Sequence, residues 1–537
     1  MLLKHSSYCL SIVLFMIKKN YLLDLLAVVI IISSYVLGYY SFKYNQDFHH
    51  WGLQLSYLID YKNGFSFFNE IYLQYGQGQT VLLYIIDKVF KINFYSIGII
   101  VQIIYCLNLI FIYKIFSFLT EKYYALLIIF FIYLIHPYII YPWPDYYSGL
   151  CLTLSAHFLL TNKNYNIFYY VLSGFLLFLS IFFRTSYLIS IVPAFIFFFL
   201  FYRKIFIKHK VNILVLSFIF FLLLYFVYLN KNLSNWYYQG LGSITSYAYG
   251  SNHHLMETII ENFGENIWIF LKLLKMFFRF LYKLFNIFSL DNFFFTFFLL
   301  INLYYLSFIY LKKKKTEISF FESKLILLSV IGFFGFLQSF MIYETFRNVN
   351  STLGIFIFGV YIINKINLSK KVLLIIKVMF LLIIIFIFKA FPNVSNYKPL
   401  ITKNDGNFVS SSVNYFSENH FIQSENKIYY DKLNQVICGQ NKKIVNMSQD
   451  FVLPYICNYN VKKYSTMGTR FFIKTNPVEY KRILIDYILL EDEMLITSKD
   501  IASSNMKKIF EIDLPTDLEW FSAYDNYSKK IFGYINY

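Results

Sequence analysis

The sequence predicts an α-helical, multi-pass membrane protein with about eleven transmembrane helices, followed by a smaller extracytoplasmic α/β domain. Hydrophobic residues make up 58% of the 537 residues, whereas charged residues make up only 15%. Soluble domains carry roughly 25% charged residues, because most of their surface faces water. The mean hydropathy of +0.53 and the repeated apolar runs therefore exclude an ordinary soluble fold and a disordered chain.

Apolar runs of about 17 to 25 residues indicate membrane helices. A shorter run at residues 80–90 does not reach spanning length, and a run at 266–288 carries four cations that are costly in lipid. Both fit helices that lie in the membrane interface, and re-entry into the membrane is the alternative for the run at 80–90. We place the eleven predicted spans at residues 21–40, 95–119, 123–141, 146–161, 167–183, 186–202, 211–229, 292–311, 324–343, 351–364 and 372–391.

Clusters of lysine and arginine fall at alternate connections between these helices. The chain carries a formal net charge of +18, and 31 basic but only 14 acidic residues precede residue 391. Connections rich in Lys and Arg stay in the cytoplasm, so clusters at residues 18–19, 203–210 and 312–315 place the amino terminus inside. The carboxy-terminal domain then lies outside a bacterial plasma membrane. Cytoplasmic connections of a membrane protein account for the excess of basic residues, so the lipid bilayer is the expected partner and no nucleic acid is expected.

The chain divides into a transmembrane domain, residues 1–391, and a polar domain, residues 392–537. The second domain is nearly charge-balanced, and Cys438 and Cys457 can form a disulfide there if it faces an oxidising compartment, with two separate thiols as the alternative. Alternating short runs predict a small α/β fold. Strands are predicted at residues 427–430, 443–446, 470–473, 487–490 and 508–512, and helices at 450–457 and 478–485.

The first outer loop, residues 41–94, concentrates ionisable side chains. Only 14 acidic residues precede the tail, yet Asp47, Asp60 and Glu70 fall within about 25 residues of one another, near His49 and His50. A carboxylate beside imidazoles at a membrane surface can act as a general base or bind a divalent cation. A solvated loop with incidental charges is the alternative.

The loop also carries a motif. Asp47-x-x-His50-x-Gly52 is followed by Glu70-x-x-x-x-Tyr75-Gly76, directly after the first predicted helix. This pattern resembles membrane glycosyltransferases of the GT-C superfamily, in particular bacterial members associated with surface polysaccharides. The resemblance extends in layout over most of residues 21–390, with many helices, a long first outer loop and an extracytoplasmic carboxy-terminal domain.

The resemblance implies a reaction and a catalytic residue. Such enzymes transfer a sugar from a polyprenyl phosphate in the outer leaflet to a cell-surface glycan or lipid, by direct displacement with inversion. Asp47 matches the family's acidic residue by position, which implies that it activates the acceptor hydroxyl or helps to bind a metal. Because a single Asp stands where some relatives carry an acidic pair, a divalent cation stays open as a cofactor, beside the lipid-linked sugar as donor.

The leaving polyprenyl phosphate requires cations nearby. Arg184 and Arg347 are candidate ligands because a guanidinium suits a phosphate. Snorkelling to lipid head groups is the alternative for Arg184, and an ion pair with Glu344 is the alternative for Arg347. Asp145 either caps the fourth helix or contacts substrate. The residues expected to bind substrate are His49, His50, Glu70, Tyr75, Asp145, Arg184, Glu344 and Arg347.

Other classes of membrane protein stay open. A polysaccharide polymerase shares the helix number and the large outer loops, but usually lacks a folded carboxy-terminal domain of this size. A transporter or flippase requires polar groups within its spans and often an internal repeat. Arg184 is the one convincing ionisable group near the core of a span, and no repeat is found. A non-catalytic scaffold is the remaining alternative, and it predicts that Asp47 can be replaced without consequence.

Overall fold

The structure is a computed structural model of the chain. It is mostly helical, with a small mixed sheet near the carboxy terminus. It describes residues 21–36, 38–39, 48–71, 73, 75–135, 142–162, 166–208, 211–241, 290–312, 318–339, 345–365, 408–410, 421–438, 440, 442–448, 489–498, 500–501, 505–515 and 529–536, and positions 271, 274, 275, 278, 281 and 282.

Helices occupy ten of the eleven predicted apolar runs. The eleventh run, residues 372–391, lies outside the described residues, as does most of the predicted interfacial run at 266–288. The described helices are α1 Tyr21–Val36, α2 Phe48–Lys62, α3 Gly78–Asp87, α4 Phe94–Leu119, α5 Lys122–Ile135, α6 Pro144–Thr161, α7 Ile167–Phe183, α8 Leu188–Lys208, α9 Val211–Leu229, α10 Leu233–Trp236, α11 Leu290–Lys312, α12 Phe320–Gly335, α13 Thr345–Ser351, α14 Leu353–Lys365 and, in the polar domain, α15 Ser424–Cys438.

Four helical segments of the described chain are long and apolar enough to cross a membrane. Further apolar helices are shorter, which fits a multi-pass membrane protein but leaves the predicted number of spans confirmed only in part. The four long segments are Phe94–Leu119, Thr185–Arg203, Val211–Trp236 and Phe320–Gln338, and the shorter ones are Tyr21–Val36, Ile167–Phe183, Thr296–Phe308 and Leu353–Lys365.

The first outer loop contains two helices. α3 coincides with the short apolar run predicted at residues 80–90, whereas α2 was not expected from the sequence. Residues 51–60 of α2 are buried on almost every side. A helix that is buried on all sides has no single apolar face. Its sequence therefore lacks the 3.6-residue repeat of apolar residues by which a helix is recognised.

Glycines allow the transmembrane helices to approach closely. A Cβ atom on Gly354 of α14 would collide with the Leu328 carbonyl of α12, and one on Gly174 of α7 would meet the Leu214 carbonyl of α9 at 2.6 Å. Small residues are the usual means of close helix packing in membranes. Gly335 at the end of α12 likewise lies against the Ser351 carbonyl at the end of α13, the short helix that carries Arg347.

The polar domain contains a four-stranded sheet of order β3-β4-β6-β5. Its strands are β3 Lys443–Met447, β4 Glu493–Thr497, β5 Met506–Asp513 and β6 Lys530–Asn536, and the separate hairpin pairs β1 Phe408–Ser410 with β2 Phe421–Gln423. Strand β3 runs parallel to β4, and the other pairs in the sheet are antiparallel.

One predicted strand of the polar domain is wrong. Residues 427–430 belong to α15, where Tyr429, Tyr430, Leu433 and Ile437 are buried along one face. Of the predicted strand 487–490, only residues 489–490 are described, and they precede β4; β6 was not predicted. The runs at 450–457, 470–473 and 478–485 lie outside the described residues, as does Cys457, although Cys438 is disulfide-bonded.

Candidate functional site

A buried ion pair joins the start of α6 to the end of α7. Asp145 stands in the first turn of α6, and Arg184 directly follows α7. Nη1 of Arg184 contacts the carboxylate of Asp145, and both side chains are almost completely buried. Helix α6 has no side-chain hydrogen bond at its amino-terminal cap, so the carboxylate serves as the partner of Arg184 and does not cap the helix. Snorkelling does not describe Arg184, because its guanidinium is turned into the protein.

The Tyr-Gly motif of the first outer loop docks beside this ion pair. The backbone N–H of Gly76 donates to the carbonyl of Phe183 at 3.1 Å, and the Tyr75 ring centroid lies 5.2 Å from Cζ of Arg184. A Cβ atom on Gly76 would collide with the Phe182 carbonyl. Glycine is therefore required here by a close backbone approach, which a plain turn does not require.

A second arginine approaches from the other side. Arg347 lies in α13, is 4% exposed and places its Cζ 4.6 Å from the centroid of the Trp143 ring. The rings of Trp143 and Tyr75 lie 5.7 Å apart. The order in space is thus Arg184, Tyr75, Trp143, Arg347. We call these four residues and Asp145 the arginine–aromatic cluster.

The cluster is built from segments that are far apart in the sequence. Its residues come from the first outer loop, the start of α6, the end of α7 and α13. The two aromatic rings are half-buried, whereas the two guanidinium groups beneath them are buried. Tyr187, one turn beyond Arg184, lies within the electrostatic field of both arginines. Four predicted substrate-binding residues, Tyr75, Asp145, Arg184 and Arg347, therefore meet at one place.

The other predicted site residues do not join this cluster in the described part of the chain. Glu70 folds onto its own turn, where its carboxylate accepts from the backbone N–H of Ser66 at 2.9 Å and from its hydroxyl at 2.8 Å. His49 and His50 belong to the backbone of α2, but their side chains lie outside the described residues. Asp47 and Glu344 lie outside them entirely.

Sequence reasoning gave Asp60 no role of its own, although the structure makes it unusual. Asp60 in α2 is 2% exposed, and neither of its carboxyl oxygens has a hydrogen-bond partner among the described residues. Burial raises the pKa of this carboxyl to about 7. Buried carboxylates are normally paired, so a group of this kind is a candidate functional residue. The sequence signal was a scarce carboxylate in an otherwise apolar stretch.

The described residues contain no group of three or more His, Cys, Asp or Glu side chains that could hold a metal ion. Asp47 and the two imidazoles of the first outer loop are not included in that statement, so the predicted divalent cation stays a prediction.

The cluster suits an anionic ligand. Its five residues carry two positive charges and one negative charge. Charge-assisted hydrogen bonds from guanidinium groups are strongest where water is excluded. Aromatic rings stacked on a guanidinium hold its plane through cation–π contact. A phosphate that reached these two arginines would be held by planar donors of fixed direction.

Known proteins offer little sequence similarity. No protein-family model matches the chain, and no characterised protein matches it in sequence. Among solved structures, the chain is similar to ArnT from Cupriavidus metallidurans bound to undecaprenyl phosphate, with a TM-score of 0.39 and 8% sequence identity. The match covers 94% of this chain and 97% of that chain. A TM-score of this size does not establish a common fold.

Proposed function

We propose that the protein is a membrane glycosyltransferase of the GT-C type. It transfers a sugar from a polyprenyl phosphate to a cell-surface glycan or lipid, on the outer face of a bacterial plasma membrane. The observation that carries this proposal is the convergence of Arg184 and Arg347, from distant segments, on the Tyr75-Gly76 motif of the first outer loop.

The reaction needs two groups of opposite character. In the proposed mechanism, Asp47 accepts the proton of the acceptor hydroxyl as that oxygen attacks the anomeric carbon. The bond from the anomeric carbon to the phosphate oxygen breaks, and the sugar transfers with inversion. The guanidinium groups of Arg184 and Arg347 stabilise the negative charge that remains on the departing polyprenyl phosphate.

The buried ion pair fits this division of roles. Asp145 holds Nη1 of Arg184, so the guanidinium keeps one orientation in a water-poor setting. Preorganised donors cost no reorganisation when charge develops in the transition state. Asp145 then contributes to substrate binding through Arg184. The half-buried rings of Tyr75 and Trp143 lie between the two arginines, and in this proposal they contact the apolar face of the sugar.

The test is a surface-glycan profile by gel electrophoresis and mass spectrometry. A deletion strain is complemented with the wild type, Asp47→Asn or Arg347→Gln at matched membrane expression. We expect loss of one sugar in the deletion and in Asp47→Asn, because a general base contributes roughly 10²- to 10⁴-fold to the rate. Arg347→Gln should reduce the same product, since a neutral amide cannot balance the phosphate charge.

A matched control is available in α1. The carboxylate of Asp24 accepts from Tyr113 at 2.8 Å and pairs with Lys122 at 2.5 Å, so Asp24→Asn also neutralises one carboxylate. It should leave the glycan profile unchanged. A normal profile with Asp47→Asn, together with a defective deletion strain, would remove Asp47 as the base and favour a polymerase, transporter or scaffold.

A further inference from the structure

A short hydrogen-bond chain runs from Gln338 to Arg184. Gln338 lies in the 3-10 turn Phe336–Ser339 that follows α12, and its side chain is buried. Its Nε2 donates to the carbonyl oxygen of Ser186 at 2.8 Å and to Oγ of Ser190 at 2.7 Å. Oγ of Ser186 lies 2.6 Å from Oε1 of Gln338 and 3.0 Å from Nε of Arg184.

The donor and acceptor types determine which atom donates in each of these hydrogen bonds. A carbonyl oxygen only accepts, so the NH₂ group of Gln338 must face the carbonyl of Ser186. Oε1 of Gln338 then faces the Ser186 hydroxyl, and because Oε1 cannot donate, the hydroxyl gives its proton to Gln338. The lone pairs of the Ser186 hydroxyl are left to accept from Nε–H of Arg184, which can only donate.

We propose that Gln338 is a positioning residue that orients Arg184 toward the phosphate of a lipid-linked sugar donor. This inference rests on the proposed function, because it takes a phosphate as the ligand of Arg184. Asp145 holds the guanidinium at Nη1, and Ser186 holds it at Nε. Contacts on two different nitrogens fix the plane of the guanidinium. The orientation of that plane decides whether the guanidinium can bind a phosphate through two nitrogens.

Loss of Gln338 would act on Arg184 through the Ser186 hydroxyl. Without the acceptor Oε1, that hydroxyl can rotate and direct its proton at Nε–H, so that two donors face each other. The guanidinium would then lose its contact with Ser186, while it keeps its charge, its contact with Asp145 and its stacking on Tyr75. We therefore expect weaker phosphate binding with an intact fold.

Gln102 provides the matched control. It lies in α4, is fully buried, and its Nε2 donates to the carbonyl of Ser34 at 2.9 Å and to its hydroxyl at 3.2 Å. It therefore bridges two helices through a buried amide in the same way as Gln338. None of its hydrogen bonds among the described residues reaches an arginine. Replacement of either glutamine by methionine removes the amide and keeps the length of the side chain.

The test measures binding of a long-chain polyprenyl phosphate to the purified full-length protein in detergent. The dephosphorylated polyprenol and inorganic phosphate serve as comparison ligands. We expect Gln338→Met to weaken binding of the polyprenyl phosphate about tenfold, the size of a hydrogen bond to a charged group. Ser186→Ala should do the same, and Gln102→Met should change binding less than twofold.

A double-mutant cycle separates positioning from a general effect on the fold. In an Arg184→Lys background there is no Nε–H to orient, so Gln338→Met should cause no further loss of affinity. The same loss in both backgrounds, or an equal loss in Gln102→Met, would overturn the positioning role. Should Gln338→Met fail to elute as a single species, Ser186→Ala carries the same comparison, because it removes the hydroxyl that accepts from Nε of Arg184.

The outcomes also distinguish the two proposals. A wild-type protein that binds the polyprenol as tightly as the polyprenyl phosphate would contradict the proposed function, and the positioning role with it. Phosphate-dependent binding that Arg184→Lys weakens, but Gln338→Met and Ser186→Ala do not, would contradict the positioning role alone. Inhibition by inorganic phosphate would show that the protein recognises the phosphate head group and not the lipid chain alone, as the proposed function requires.

Discussion

Asp60 is a buried carboxyl whose surroundings favour the protonated form. Burial raises its pKa to about 7, against roughly 3.9 in an unfolded chain. Between these two values the unfolded chain ionises while the folded protein stays neutral, so stability falls as the pH rises. Below about pH 4 both states are protonated, and above about pH 7 both are ionised. The destabilisation is then complete, on the order of 4 kcal/mol.

Asp60→Asn should remove this pH dependence. We expect the apparent melting temperature of the variant in detergent to exceed that of the wild type above pH 7, with the difference shrinking as the pH falls toward 5. Asp87→Asn in the same loop is the contrasting control, because it breaks an ion pair with Lys62 and should lower the melting temperature instead. Parallel pH profiles for Asp60→Asn and the wild type would contradict the assignment.

Gly76 connects the first outer loop to the end of α7. Its N–H bonds to Phe183, and a Cβ atom would collide with the Phe182 carbonyl, so Gly76→Ala must displace the loop or the helix end. Overpacking of this kind costs roughly 1–3 kcal/mol. We expect a lower melting temperature and weaker polyprenyl phosphate binding, because Tyr75 would move away from Arg184.

Gly64 in the same loop is the matched control for Gly76. It has φ +87° and open space around its Cα, so Gly64→Ala carries only the cost of a left-handed backbone, roughly 1–2 kcal/mol. It should lower stability yet leave phosphate binding intact, since Gly64 does not touch the arginine–aromatic cluster. Equal loss of binding in both variants would show that the loop acts through its stability, and not through its contact with α7.

The helices were the most predictable elements because their signal is local. An apolar run of spanning length has few other structures in a lipid bilayer, which is why α4, α7 and α9 match the sequence prediction closely. Elements defined by packing on several sides were missed. These include α2, which is buried all round, and β6, in whose sequence Gly533 breaks the apolar pattern at the point where the Phe510 ring packs.

The sequence identified several residues of the candidate site, but it did not show that they lie close together. Arg184, Arg347 and Asp145 were recognisable one by one, because ionisable groups are rare in this chain. Their meeting with Tyr75 depends on helix packing, which no short motif encodes. Gln338 and Ser186 were missed since uncharged polar residues in apolar helices are common and most satisfy local hydrogen bonds. Only the chain of partners from Gln338 to Arg184 sets them apart.

Orientation in the membrane is a property of the whole molecule. The lysine-rich connections predict that the first outer loop and the polar domain lie on the same, outer side. Whether the first outer loop and the polar domain lie on the same side depends on residues 266–288, which carry four cations and are predicted to lie in the membrane interface. If that segment crossed the membrane, the polar domain would move to the cytoplasm while the first outer loop stayed outside.

Single cysteines at three exposed positions can test on which side of the membrane these segments lie. In a background with the five native cysteines replaced by serine, Val89→Cys reports the first outer loop, Tyr123→Cys the start of α5, and Leu490→Cys the polar domain. All three native side chains are exposed. With a membrane-impermeant maleimide on intact spheroplasts, we expect labelling at 89 and 490, and at 123 only after permeabilisation. Labelling at 89 with protection at 490 would show that residues 266–288 cross the membrane. The polar domain could not then meet a surface acceptor, although the arginine–aromatic cluster would keep its place beside the first outer loop.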